Sequence, residues 1–166
     1  MTKATFAAGC FWGVESLFRQ TPGVTSTRVG YIGGWVENAN YENVCSDQSG
    51  HAEAVELEFD PSKITYPELL KIFYENHDPT TLNKQGPDIG TQYRSAVFCH
   101  SPEQFATAMD YKEELENSKK FSRPIVTQII PAENLPFYVA EEYHQRYFEK
   151  QGITHCVFKK NDDEEL

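Results

Sequence analysis

The chain has 166 residues, which suits one domain with a core large enough to fold without disulfide or metal support. Its 15 basic and 25 acidic residues give a formal net charge of −10, which argues against nucleic acid or an anionic membrane surface as a general partner. Part of this acidity is local: residues 161–166 are predicted to form a disordered acidic tail after a domain of residues 1–160.

Neither a membrane span nor a signal peptide is predicted, because no stretch has the apolar length of a span and residues 1–8 lack a basic flank. The cysteines show neither CxxC pairing nor the close spacing of zinc ligands. They are Cys10, Cys45, Cys99 and Cys156. We therefore expect a cytoplasmic monomer whose cysteines are mostly thiols, and in which any disulfide is transient and catalytic.

Strands and helices alternate in the first half of the chain. The predicted strands of this half are residues 4–8, 25–31 and 55–59, the last alternating apolar with acidic side chains. Apolar residues recur at helical spacing over residues 10–20, and the Thr-Pro-Gly triplet that follows predicts the end of that helix.

The second half continues this alternation. A capping box with proline in the first turn begins at Thr65 and predicts a helix that ends near Asp78. Ser101 opens the next helix by the same chemistry. The side chains predicted to face inward from that helix are Phe105, Ala108 and Met109. The predicted strands are residues 95–99 and 126–130. The alternation predicts a two-layer α/β domain, a mixed sheet covered by helices on at least one face.

Cys10 stands where a predicted strand ends and a predicted helix begins, and Phe11 and Trp12 follow it. Unpaired backbone N–H groups and the positive end of the helix dipole favour a thiolate at such a position. The two aromatic rings can form the wall of an apolar pocket beside the sulfur. This arrangement is typical of a catalytic nucleophile, although residue type alone favours an inert buried cysteine.

Two polar regions could serve this thiol. Residues 41–45 and 50–53 precede the alternating strand, and residues 86–94 lie in and just after a long connection of a kind that is usually functional or disordered. Surface exposure, salt bridging and helix capping are the simpler explanations of their tyrosines, glutamate and aspartate. Spacing alone leaves open a cysteine hydrolase in which His51 or His144 is the base.

These stretches together resemble one family, the A-type peptide-methionine sulfoxide reductases, over nearly the whole chain. The segments that carry the resemblance are residues 9–13 (GCFWG), 30–34 (GYIGG), 41–45 (YENVC), 50–55 (GHAEAV), 77–79 (HDP), 85–86 (QG) with Asp88, 90–95 (GTQYRS) and 140–145 (AEEYHQ). The resemblance implies a ferredoxin-like core with a long C-terminal coil. It also implies reduction of the S epimer of methionine sulfoxide, free or in proteins, in the repair of oxidised proteins.

The resemblance assigns roles to matching residues. Phe11 and Trp12 match the pocket that receives the S-methyl group, and Glu53 matches the acid near the sulfoxide oxygen. The other matching positions are Tyr41 and Tyr93, phenols that hydrogen-bond this oxygen, and Asp88, a carboxylate of the surrounding polar network. Sulfoxide oxygen leaves only when protonated, so Glu53 must keep its proton near neutral pH. Desolvation beside the two aromatic rings would raise its pKa accordingly.

Cys10 matches the family's nucleophile, and Cys156 matches a resolving cysteine. The implied cycle leaves Cys10 as a sulfenic acid, joins it to Cys156 as a disulfide, and reopens that disulfide with thioredoxin or another dithiol. It needs no metal, flavin or nucleotide. The glycine-rich tail with a second resolving cysteine, which many relatives carry, is missing here, so we expect a single Cys10–Cys156 exchange and structural roles for Cys45 and Cys99. A non-catalytic domain that binds methionine-rich segments is the rival from another class.

Overall fold

Six strands join into one sheet in the computed structural model, which describes residues 2–34, 40–45 and 49–150, except the side chains of Asn43 and Cys45. The strands are β1 (Thr2–Ala8), β2 (Val24–Ile32), β3 (Ala52–Phe59), β4 (Lys84–Gln85), β5 (Asp88–Ile89), β6 (Ser95–Cys99), β7 (Gln128–Pro131) and β8 (Tyr138–Val139). The helices are α1 (Phe11–Arg19), α2 (Tyr41–Cys45), α3 (Tyr66–Glu75), α4 (Pro102–Asn117) and α5 (Tyr147–Lys150), with 3-10 turns at Thr91–Tyr93 and Glu142–His144.

The sheet has the strand order β7-β6-β1-β3-β2-β8, and β4 and β5 pair separately as a hairpin. β1 runs antiparallel to both β3 and β6, β2 runs antiparallel to β3, and β7 runs parallel to β6. Its four central strands, together with α1 and α3, follow the split βαββαβ arrangement of ferredoxin-like folds. The predicted α/β domain with a mixed sheet and a ferredoxin-like core is confirmed.

The helices cover one face of the sheet, where most of the apolar residues are buried. Phe6 of β1 lies at the centre of this layer: its ring centroid is 5.1 Å from that of Phe18 on α1 and 5.2 Å from that of Phe73 on α3. The opposite face carries a smaller apolar cluster, in which Phe98 and several alanines pack beneath Ala132 and Phe137 of the loop after β7. Because successive side chains of a strand point to opposite faces, the apolar side chains of β1 and β3 are divided between these two clusters.

Helix capping follows the sequence prediction fully at α3 and in part at α4. The Thr65 hydroxyl accepts from the N–H of Glu68 at 3.2 Å, and the Glu68 carboxylate accepts from the N–H of Thr65 at 2.8 Å, which completes the capping box of α3. At α4 only half of the device is present: the Ser101 hydroxyl accepts from the N–H of Gln104 at 3.1 Å, while the Gln104 side chain accepts from the N–H of His100.

The prediction that Met109 faces inward is wrong, because this residue is 45% exposed. The buried stripe of α4 runs through Gln104 and Ala108, and Met109 lies one position, or about 100°, around the helix from it. Gln104 is buried because its side-chain amide donates to the Lys3 carbonyl at 2.7 Å, so a polar residue occupies a place that hydrophobicity alone would assign elsewhere.

The segment after β7 adds an edge strand and then crosses back over α1. The N–H of Ala140 donates to the Val29 carbonyl at 2.9 Å. The side-chain amide of Gln145 then accepts from the N–H of Val29 and donates to its carbonyl, both at 2.9 Å, as a neighbouring strand would. Cys156 and the predicted acidic tail lie outside the described residues. No helix within the described ranges is both long and apolar enough to cross a membrane.

A buried histidine joins the end of α3 to the sheet. His77 is 2% exposed; its Nδ1 donates to the Phe73 carbonyl at 2.6 Å, and its Nε2 accepts from the Ser95 hydroxyl at 2.8 Å. The Ser95 oxygen in turn accepts from the Thr127 hydroxyl at 2.7 Å. Burial lowers the pKa of His77 to about 4, because the charged imidazolium would be desolvated.

Acidification should therefore weaken the fold through His77. Its pKa falls from 6.5 in the unfolded chain to about 4 in the folded protein. This contribution is complete above pH 6.5 and declines by about 3 kcal/mol as the pH falls to 4. His77→Gln, which does not titrate in this range, should lose less unfolding free energy between neutral and acidic urea titrations than the wild type. Equal losses in the two proteins would contradict the assignment.

Candidate active site

Cys10 occupies the turn between β1 and α1. Its backbone is extended (φ −61°, ψ 125°) and it is the N-cap residue of α1, so the sulfur lies at the helix N-terminus as predicted. Gly9 makes the turn possible: its φ of +96° is left-handed, and a Cβ there would come within 2.9 Å of Gln85. The Cys10 side chain is half-buried.

The expectation that the helix start keeps Cys10 ionised is wrong for the resting site. Burial raises the pKa of the thiol to about 12, and the charges of Glu53 and Asp88 add to this effect. The backbone N–H groups of Trp12 and Gly13 act in the opposite direction by hydrogen-bonding the sulfur, as a helix N-terminus should, but they are outweighed. The thiol is therefore neutral at rest.

Glu53 lies directly beside this helix start. On β3 it faces the helix layer together with Val55 and Leu57, and it is 2% exposed. Its Oε1 accepts from the N–H of Phe11 at 3.2 Å. Burial raises the pKa of Glu53 to about 8, the Phe11 N–H opposes this, and Asp88 adds to it. The expected protonated Glu53 at neutral pH is confirmed, and desolvation is the main cause.

The β4–β5 hairpin brings Asp88 to the same site. Gln85 attaches the hairpin to the end of α3, since its side chain accepts from the N–H of Asp78 and donates to the Asp78 carbonyl, both at 2.9 Å. Asp88 is half-buried and its pKa is raised by desolvation. Its charge acts on both Glu53 and Cys10, so three titratable groups are electrostatically coupled at this helix terminus.

The two aromatic residues after Cys10 have different environments. Phe11 is buried in the main core, with its ring centroid 5.7 Å from that of Tyr31. Trp12 is half-buried and stacks on Tyr147 of α5, with 3.8 Å between centroids and 9° between planes. Its indole N–H donates to Nδ1 of His144 at 3.0 Å. Trp12 is thus supported on one face and at one edge.

The predicted phenols approach the site from two directions. Tyr41 opens α2, and its N–H donates to Oε2 of Glu141 at 2.9 Å. Tyr93 ends the 3-10 turn after the hairpin, and this turn packs against β3, the strand that carries Glu53. Both tyrosines are half-buried. The structure therefore places Cys10, Glu53, Asp88 and Trp12 around one helix start, with the turns that carry Tyr41 and Tyr93 beside it.

Sequence reasoning assigned no role in sulfoxide reduction to His144 or Glu141. His144 was considered only as a base for a hydrolase, yet its Nδ1 accepts from Trp12 and its Nε2 lies nearest Glu141, at 3.9 Å. His51, the other candidate base, accepts at Nδ1 from the N–H of Gly34. The signal that could have revealed His144 and Glu141 is their place in the AEEYHQ segment, which already carried part of the resemblance.

Of the other cysteines, Cys99 is buried in the core, and burial raises its pKa to about 11, as expected of a structural thiol. Cys156 lies outside the described residues, so its predicted resolving role is not tested by this geometry.

Comparison with known proteins decides the family. A family model described as peptide methionine sulfoxide reductase matches residues 2–165. A protein of Methanoculleus marisnigri named peptide methionine sulfoxide reductase MsrA is 56% identical over 156 residues, covering 94% of each chain. The chain belongs to the peptide methionine sulfoxide reductase family. The resemblance found in the sequence is confirmed. Membership in a reductase family counts against the cysteine hydrolase and against the non-catalytic binding domain.

Similar solved structures extend this result to the fold. Mxr1 from Saccharomyces cerevisiae in reduced form superposes with a TM-score of 0.85 at 37% identity, covering 95% of this chain and 90% of that chain. A second structure, of Mxr1 in complex with Trx2, has a TM-score of 0.61 at 26% identity and covers 96% and 87%. The fold of this chain is therefore that of peptide methionine sulfoxide reductases.

The effect of the Glu53 and Asp88 charges on Cys10 predicts how fast its thiol should be alkylated. Burial is the main cause of the raised thiol pKa, and Glu53→Gln removes the charge that adds to it. Iodoacetamide should therefore alkylate Cys10 about tenfold faster in this variant than in the wild type near pH 9. Near pH 6.5 the two rates should agree, because wild-type Glu53 is then protonated. Peptide mass spectrometry identifies the alkylated residue. Asp88→Asn is the matched control and should give a smaller increase; a rate ratio independent of pH would contradict the coupling.

Proposed function

We propose that this enzyme reduces the S epimer of methionine sulfoxide by nucleophilic attack of Cys10 on the sulfoxide sulfur, with Glu53 as the acid on the oxygen. The observation that carries the proposal is the protonated Glu53 carboxyl at the helix start that holds Cys10. The thiol can take the oxygen from the sulfoxide while the neutral carboxyl group protonates that oxygen, and these steps require neither a metal nor an organic cofactor.

The acid comes first in the chemistry. The sulfoxide oxygen is a poor leaving group until it is protonated, and a carboxyl group with a pKa of about 8 holds its proton at neutral pH. Hydrogen bonds from Tyr41 and Tyr93 would stabilise the developing negative charge on oxygen, by a few kcal/mol for each well-placed donor. Asp88 would act through the network around Glu53, whose pKa its charge helps to raise.

The proton held by Glu53 also helps to prepare Cys10 as the nucleophile. While Glu53 is neutral, it exerts no charge on Cys10, and the N–H groups of Trp12 and Gly13 can stabilise a thiolate. When Glu53 gives its proton to the sulfoxide oxygen, the resulting carboxylate can accept the proton that leaves the thiol. The net transfer is from sulfur to oxygen through one carboxyl group, so no charge is left behind in the buried site.

The reaction balances without an external oxidant. Attack joins the Cys10 sulfur to the substrate sulfur, whose oxygen is now a hydroxyl group. This S–S bond and the substrate's S–O bond then break as the hydroxyl passes to the Cys10 sulfur, so methionine leaves reduced and Cys10 is oxidised to a sulfenic acid. Attack by the Cys156 thiol on the Cys10 sulfur releases water and forms the Cys10–Cys156 disulfide. A dithiol then reduces this disulfide by exchange. The relative solved in complex with Trx2 supports a thioredoxin as that dithiol.

The substrate would enter with its S-methyl group against Phe11 and Trp12. Trp12 is half-exposed and supported from behind by Tyr147, which suits a wall for a small apolar group. Free and protein-bound methionine sulfoxide share this group, and we propose that both are substrates in the repair of oxidised proteins. A cycle of free thiols and a dithiol reductant requires a reducing compartment, so we place the enzyme in the cytoplasm. We also propose that it acts as a monomer.

The proposal is tested by single turnover on separated epimers. We expect stoichiometric methionine from the S epimer of N-acetylmethionine sulfoxide, none from the R epimer, and none from either with Cys10→Ser. Ester substrates should not be hydrolysed. Turnover by Cys10→Ser, or ester hydrolysis without sulfoxide reduction, would overturn the assignment.

Glu53→Gln separates the acid from the nucleophile in this assay. It should slow methionine release by about 10²-fold, although its Cys10 is alkylated at least as fast as that of the wild type. Full reductase activity in this variant would move the acid role to another residue.

Cys156→Ser tests the resolving step. We expect a burst of about one methionine per enzyme and then no turnover with thioredoxin as the only reductant, because the sulfenic acid finds no partner thiol. Cys99→Ser is the matched control and should turn over normally. Steady turnover by Cys156→Ser would require another resolving route.

A further inference from the structure

His144 is a buried polar residue for which the steps above have no use. It ends the 3-10 turn Glu142–His144, is 1% exposed, and lies among the aromatic residues of the site. Its ring centroid is 5.2 Å from that of Phe11, 4.7 Å from that of Tyr41 and 5.7 Å from that of Trp12. A hydrophobic residue could fill this space, so the presence of an imidazole needs a reason.

The hydrogen bond to Trp12 determines the tautomer of His144. An indole N–H can only donate, so Nδ1, at 3.0 Å, must be the unprotonated acceptor and the ring proton must lie on Nε2. Among the described residues this Nε2–H reaches no hydrogen-bond acceptor, since the nearest carboxylate oxygen, on Glu141, is 3.9 Å away. Burial lowers the pKa of His144, with partial opposition from Glu141, so the ring stays neutral and Nδ1 stays an acceptor.

The turn that carries His144 is held from both sides. Before it, Glu141 accepts from the Tyr31 hydroxyl at 3.0 Å and from the N–H of Tyr41 at 2.9 Å. After it, the Gln145 side chain is paired with the backbone of Val29 on β2. The turn that carries the imidazole is therefore fixed at the sheet edge by bonds that do not involve Trp12.

We propose that His144 is a positioning residue for sulfoxide reduction, whose neutral imidazole holds the edge of the Trp12 indole so that the substrate's methyl group meets a preformed wall. The proposal rests on the function proposed above for Trp12. Stacking on Tyr147 supports one face of the indole but permits sliding and rotation in its plane. The bond at the indole nitrogen removes that freedom before substrate binds.

Losing this bond should weaken binding more than it slows chemistry. We expect His144→Leu, which fills the space but accepts no hydrogen bond, to raise KM for the S epimer about three- to tenfold. The single-turnover rate at saturating substrate should stay within about threefold, because Cys10 and Glu53 are untouched. His144→Asn can place its side-chain oxygen near the position of Nδ1, and it should restore much of the binding.

A spectroscopic readout separates the hydrogen bond from packing. The chain has two tryptophans, so Trp35→Phe leaves Trp12 as the only indole in a proton–nitrogen spectrum. Its N–H should exchange with solvent about tenfold faster in His144→Leu than in the parent or in His144→Asn. Should His144→Leu fail to fold, the imidazole nitrogen shifts of the parent still decide: they must report an unprotonated Nδ1 and a protonated Nε2.

A double-mutant cycle completes the experiment. In a Trp12→Phe background there is no indole N–H, so His144→Leu should change KM no further. An equal effect of His144→Leu in both backgrounds, or an unchanged indole signal in the single variant, would overturn the proposal in favour of packing alone. If no variant or parent reduces sulfoxide, the proposed function fails, while the indole and imidazole spectra still judge the His144–Trp12 bond.

Discussion

One helix terminus serves two acidic groups. The first N–H of α1 donates to the Glu53 carboxyl, and the next two favour the Cys10 thiolate. Burial raises the cost of ionising either group, and a charge on Glu53 raises the cost of ionising Cys10 further. Both protons are therefore retained at rest, with pKa values of about 8 for Glu53 and about 12 for Cys10. The proposed chemistry consists of moving one of these protons to the substrate.

This coupling explains why a buried carboxyl group is used as the acid. A solvated glutamate would ionise near its usual pKa and would then oppose thiolate formation at neutral pH. Burial under the start of α1 both keeps the proton on Glu53 and removes its charge from Cys10. The hairpin carrying Asp88 strengthens the same effect, because a nearby carboxylate makes the loss of a second proton harder.

The fold supplies these groups from distant parts of the chain. β1 and β3 are neighbours in the sheet, so the turn after β1 and the start of β3 come together, and with them Cys10 and Glu53. The wall is completed much later: His144 lies 132 residues after Trp12 along the chain. Gln145 fixes this last segment by imitating a strand along Val29, which lets a short irregular stretch hold a defined position.

Sequence reasoning located most strands and helices because alternation, helical periodicity and capping residues are local signals. It missed the strands β4, β5 and β8, because each has only two residues and so shows no periodicity. It placed Met109 inward because it did not foresee that Gln104 is buried. The family was recognised from the whole set of motif segments, residues 9–13 and 50–55 among them, since their common order and spacing are rarely shared by chance.

By itself the sequence determined the succession of elements, the family, and the residues that could act in the site. Only the tertiary structure decided their protonation states and supports, because these depend on burial and on neighbours far away along the chain. Position at a helix start predicted an ionised Cys10, whereas desolvation and the Glu53 carboxyl beside it keep the thiol neutral. In the same way, His144 acquires its tautomer only when the folded chain brings the Trp12 indole to its Nδ1.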